Sequence, residues 1–162
     1  MFDHERRLYT FVLNYCRMLT ADIDDARMAD QPVPAANHPA WIVGHLAICT
    51  DYAAKLLGLP RKCSDDWHKL FAPGSKPIPD RQAYPSKSDL LAALTDGHAR
   101  VAAAAENADP KAMREPQSII FQQHFPTVGD LIAHLMTTHP CAHLGQLSAW
   151  RRLHGLPAVL GA

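Results

Sequence analysis

The chain has 162 residues, enough for one domain with a real hydrophobic core, and carries 16 Lys and Arg against 16 Asp and Glu. A formal charge of zero leaves no cationic excess to neutralise a phosphate backbone, which argues against nucleic acid as a partner. No apolar run approaches the roughly 18 residues that a bilayer span needs, so no membrane partner is expected.

The opening stretch, MFDHERRLYTFVLNYCRML, puts charges where a signal peptide would need continuous apolar residues. No export signal is expected, and the cytoplasm is the simplest location. Within residues 3 to 29, Leu8, Phe11, Val12, Tyr15, Cys16 and Leu19 recur by threes and fours and predict a first helix. Asp22, Asp24, Asp25 and Arg27 read as a solvated helix face. Pro32 and Pro34, in DQPVPAANHP, interrupt the helix. A second helix is predicted from about Pro39 to Leu57, with His45 among Trp41, Ile42, Leu46 and Ile48, and Gly58 and Pro60 stop it.

Residues 60 to 85 form a long connection rich in proline, with room for a helical turn at SDDWHKLF. Ser86 with Asp89 three residues on is a helix-capping pattern, and DLLAALTDGHARVAAAAE continues a third helix despite Gly97. After NADPKAMREPQSIIFQQHFP, in which SIIFQQ is at most a short extended piece or a helical turn, Thr127 and Asp130 repeat the cap. They open a fourth helix predicted to reach about Leu153, before Gly155 and Pro157. The expectation is an all-α protein, one four-helix-bundle domain over 1–162, with long connections between helices two and three and between three and four.

Residues 134 to 152 read HLMTTHPCAHLGQLSAWRR, an unusual density of histidine for a bundle helix. His139 and His143 are four apart and leave a regular helix within roughly 40° of each other, so they can share one ligand. His45 from helix two would raise the set to three neutral nitrogens, the number a catalytic zinc site uses when its last position holds water or substrate. The H-x-x-x-H pair alone equally describes a half-exposed helix face.

NHPAWIVGHLA in the first half, together with HPCAHLGQLSAWRRLHGLP near the end, resembles the DinB/YfiT-like family. The likeness covers nearly the whole chain, including a Trp-containing loop and the YPS before helix three, and the H-x-x-x-H-x-G-Q segment is its most specific part. The resemblance implies a four-helix bundle in which one histidine of the second helix and two of the last bind a divalent metal, by position His45, His139 and His143. Many relatives carry Glu directly after the first histidine of the last pair, where this chain has Pro140. Proline there removes the bond to the Met136 carbonyl and predicts a kink, which either re-aims His139 toward a metal or spoils the site.

Several neighbours have two readings. Cys49 lies one turn after His45 and is either a fourth ligand or a small core residue. Tyr52, seven residues after His45, returns to the same face and is a candidate catalytic hydroxyl, or else core. His134 lies roughly 140° from His139 on an unbroken helix and is expected to face another helix or solvent. His124 either lines the bundle mouth or is a loop histidine, and Trp67 either closes over a substrate or plugs one end of the bundle. The four cysteines form no C-x-x-C pair, which fits reduced thiols better than a disulfide scaffold or a zinc ribbon.

A metal on three neutral histidines could activate water, making a hydrolase, or a low-molecular-weight thiol, making an S-transferase or isomerase, in either case on a small-molecule substrate. The resemblance brings bacillithiol, mycothiol and glutathione into the second case. Imidazole ligands suit zinc, nickel, iron and copper alike. The alternative is a non-catalytic, stress-related protein that binds a metal or a small ligand. Glu-x-x-His, G-x-S-x-G and G-x-x-x-x-G-K motifs are all missing, which excludes carboxylate-bridged di-iron, serine-elbow and P-loop chemistry. Small residues in GQLSAW allow close helix packing, so a homodimer is a modest expectation.

Overall fold

The computed structural model describes residues 1–160, and these are helical, with no β-strand beyond one isolated bridge between Pro116 and Thr127. Six α-helices follow in order: α1 (Asp3–Thr20), α2 (Pro39–Leu56), α3 (Asp65–Leu70), α4 (Lys87–Glu106), α5 (Val128–Met136) and α6 (Thr138–Leu153). No helix among the described residues is long and apolar enough to cross a membrane.

Helix α2 is the spine, with 15 of its 18 residues buried. That explains its nearly continuous apolar sequence, since it meets neighbours on every side. His38 caps it by accepting the Trp41 N–H on Nδ1 at 3.2 Å, and Pro39 occupies the first turn, where its missing donor costs nothing. Its most extensive partner is α4, α5 and α6 also pack against it, and α1 packs against α4, α5 and α6. Gly97 sits in the middle of α4 because Thr50 of α2 already fills the space a Cβ would occupy. Ser86 caps α4 and Thr127 caps α5, the latter as a full reciprocal box with Asp130.

Two expectations change. The first helix ends at Thr20 rather than continuing toward residue 29. A run of carboxylates is disfavoured at a helix C-terminus, and Asp22 and Asp25 instead leave the helix to bind Arg151 and Arg81. They are therefore cross-links, not a solvated helical face. The predicted fourth helix is two helices, broken at Thr137, whose φ of −128° and ψ of −80° lie outside the helical region. Met136 is the residue whose carbonyl the Pro140 ring would strike in a continuous helix, and the break removes that clash. The helical turn expected at SDDWHKLF is present as α3, capped by Ser64, and it brings Phe71 against α2 over Gly44.

Candidate metal centre

Because α2 is a regular helix, His45, Cys49, Tyr52 and Leu56 project from it into one cavity of about 580 Å³ where α2, α5 and α6 meet. The break at Thr137 puts His139 and Pro140 in the first turn of α6, and His143 follows one turn later. The ring centroids of His45, His139 and His143 stand 5.3, 4.6 and 4.7 Å apart, so the structure brings all three together.

Each ring is oriented differently. His45 donates its Nδ1–H to the buried carbonyl of Phe71 at 2.8 Å and stacks on Trp41 at 4.7 Å, which turns the Nε2 lone pair into the cavity. His143 donates Nδ1–H to Gln146 Oε1 at 3.2 Å, and Asn37 holds that oxygen by a second hydrogen bond of 2.9 Å. The His139 Nδ1 is buried without a protein partner, so only its cavity-side contact distinguishes the two tautomers. Burial lowers all three pKa values. His45 falls to about 4, and His139, also opposed by the charges His143 and His45 would carry, falls to about 3. At neutral pH all three are uncharged donors.

Two distances test this donor set against a metal. The Nε2 atoms of His45 and His139 are 3.3 Å apart, and Cys49 Sγ is 3.6 Å from His45 Nε2. Tetrahedral zinc, with Zn–N of about 2.05 Å and Zn–S of about 2.3 Å, holds its ligand atoms about 3.3 Å (N to N) and about 3.6 Å (N to S) apart. Donor atoms of His45, Cys49 and His139 all lie within 4.8 Å of one another, a set that includes Cys49 and not the expected His143, whose ring lies beside it. Burial pushes the Cys49 thiol far up, so without a cation it stays protonated and can donate to His45 Nε2. Beside a cation it would ionise and ligate.

The remaining candidates divide. Tyr52 lines the cavity, with the edge of its ring meeting His68 at 5.4 Å. His134 also lines it, contrary to expectation, because the helix break changes the register that put it roughly 140° away. It stacks on Phe125 at 4.2 Å and meets His139 edge-on at 5.6 Å. His124 is exposed and does not line the cavity, and Trp67 packs against Phe71 and the core. Trp41, the Phe71 carbonyl and Gln146 were not foreseen. Trp41, inside NHPAWIVGHLA, and Gln146, inside the H-x-x-x-H-x-G-Q segment, had a signal in the sequence, and the Phe71 carbonyl had none.

An all-helical chain with neutral histidines, one buried and two half-buried, around one cavity defines a class of protein suited to holding a metal ion. The family model of the DinB superfamily matches residues 8–147, and the chain belongs to that superfamily, as its histidine motifs imply. No curated protein and no solved structure matches the chain significantly.

Proposed function

We propose that this protein is a divalent-metal-dependent enzyme whose ion is held by His45, His139 and His143. The observation that carries the reading is the ligand-to-ligand spacing of the His45, Cys49 and His139 donor atoms, with the His143 ring centred 4.6 and 4.7 Å from the two other histidine rings, in a cavity large enough for a substrate. Facing lone pairs repel unless a proton or a cation lies between them. When bound, the ion would lower the pKa of a water or thiol beside it and polarise an electrophilic group. Zinc, nickel and iron all suit this donor set, and availability selects among them.

The chain's own residues supply the rest. The Phe71 carbonyl and Gln146 fix the tautomers of two ligands, the usual task of outer-sphere partners. Tyr52 is placed to donate a hydrogen bond to a substrate oxygen, and burial raises its pKa so that it keeps its proton. In the same reading α1, α2, α4 and the α5–α6 pair are the four members of the bundle, and the unpaired cysteines fit a cytoplasmic setting. The reaction is attack by activated water or by a low-molecular-weight thiol on a small electrophile.

Cys49 supports a second reading. As a fourth ligand it would close a tetrahedral site, and closed sites are structural. Metal analysis of untagged protein, followed by hydrolase assays and thiol-dependent electrophile consumption, separates the two. The enzyme reading expects about one ion per chain and turnover that chelation abolishes. Tightly held metal with background turnover in both assays, and a large loss of thermal stability on chelation, would establish the structural site instead.

A further inference from the structure

None of the side chains lining the histidine cavity is charged, and its wall away from the histidines is built from residues such as Leu56, Leu131 and Leu135. The mouth is formed by three consecutive large apolar residues, Ile119, Ile120 and Phe121, which are 61%, 41% and 57% exposed. A contiguous apolar surface of this kind on a polar protein marks a place where something binds.

The segment carrying these residues is built to hold them there. The Pro116–Thr127 bridge closes its base. Gln117, buried at its centre, donates to the carbonyls of Ile120 (2.8 Å) and Phe125 (2.7 Å) and accepts the Ile119 N–H (2.7 Å). Every polar atom of that amide points inward, and the apolar side chains are left facing out. Phe121 has φ of +51°, a left-handed conformation that is strained for a bulky residue and clusters at ligand clamps. Phe125 at the end of the segment stacks on His134, which in turn meets His139, so the clamp is joined to the metal centre through ring contacts.

We propose that the substrate is a neutral, largely hydrocarbon small molecule, gripped by Ile119, Ile120 and Phe121 with its one reactive group turned toward the histidines. The inference rests on the metal reading only for the placement of that reactive end. A substrate with an anionic body away from the ion would bring its charge against a wall with no cationic side chain, where nothing offsets the desolvation cost. The same holds for a thiol bearing carboxylates, so the cavity suits water or an uncharged thiol as the nucleophile. Gln117 is the positioning residue of the clamp.

The test titrates the protein with a neutral naphthylamine dye and its sulfonated analogue, following fluorescence, with bound metal measured on the same samples. The neutral dye should bind at least about tenfold more tightly, and Ile120→Ser and Phe121→Gly should each weaken it about tenfold without changing metal content. Phe121→Gly should also melt at the same temperature or higher, since glycine takes a positive φ without strain. Tighter binding of the sulfonate, or neutral-dye affinity indifferent to both substitutions, overturns the proposal. Dye binding as expected in protein that retains no metal upholds the apolar clamp and removes the metal centre.

Discussion

Two sets of histidines are packed into this protein, and the contrast lies in where their lone pairs go. His38 uses both nitrogens, accepting from the Trp41 N–H and donating to the Ile78 carbonyl. His98 donates to the Tyr9 carbonyl at 2.9 Å and lies flat on the Tyr9 ring. His68 is held by Asp51, which is 1% exposed and also accepts the Lys62 and Cys63 N–H groups and faces Arg100. In this set each ring has at least one nitrogen on a fixed protein partner, and the rings act as cross-links. In the His45, His139 and His143 set, one nitrogen of two rings is anchored while the cavity-side donors crowd one another. Burial is common to both sets and does not distinguish a ligand from a core residue. Donor atoms that face one another across a cavity do.

The strongest way to break that contrast is to delete one ring from each set. His143→Ala should reduce bound metal to background with a modest change in stability, whereas His98→Ala should keep the metal and lower the melting temperature. Equal metal retention in the two variants would dissolve the distinction. Asp51→Ala comes next, because it strands two backbone N–H groups, His68 and Arg100 together. Burial raises this carboxyl, yet the Lys62 and Cys63 N–H groups and His68 outweigh it and hold the pKa below its ordinary value. A loss of about 3 kcal/mol in denaturant melts is expected, with metal content unchanged.

Gln146→Leu sharpens the comparison from the other side. It leaves every ligand in place and removes only the acceptor that fixes the His143 tautomer, so metal affinity should fall about 10- to 100-fold in chelator competition. An unchanged affinity would mean that His143 either does not bind through Nε2 or is oriented by something else.

Much of the helical content was legible because it depends on local rules. The Ser86 and Thr127 caps, the Gly58 stop and the apolar run of α2 all act within a turn or two of chain. The three histidines were legible from their spacing and from the family motif. What was missed depends on contacts between distant residues. The acidic run after Thr20 was misread because its partners, Arg81 and Arg151, lie far along the chain. Pro140 was seen to forbid a continuous helix, but the outcome of the break, with His134 brought to the cavity, depends on how α5 and α6 each pack on α2. The clamp around Gln117 had no pattern to announce it, since a buried amide at the centre of a loop has no characteristic spacing.

A further effect belongs to the cross-linking set and appears only in acid. Burial pushes His38 from its ordinary 6.5 down to about 4, outweighing the Ile78 carbonyl that favours its charged form. Between those two values the unfolded chain binds the proton and the folded chain does not, so stability is fully present above about pH 6.5 and drains away as the pH falls toward 4. One such group contributes a slope of at most about 1.4 kcal/mol per pH unit. His38→Asn keeps an oxygen to cap the Trp41 N–H but cannot titrate. In melts run with chelator, which take the metal out of the balance, the variant should be less stable than wild type at pH 7.5, and the gap should narrow steadily down to pH 4. A gap that stays constant with pH would mean that the histidines of the metal cavity, not the capping histidine, carry the acid sensitivity, and charge exclusion would then be confined to one of the two sets.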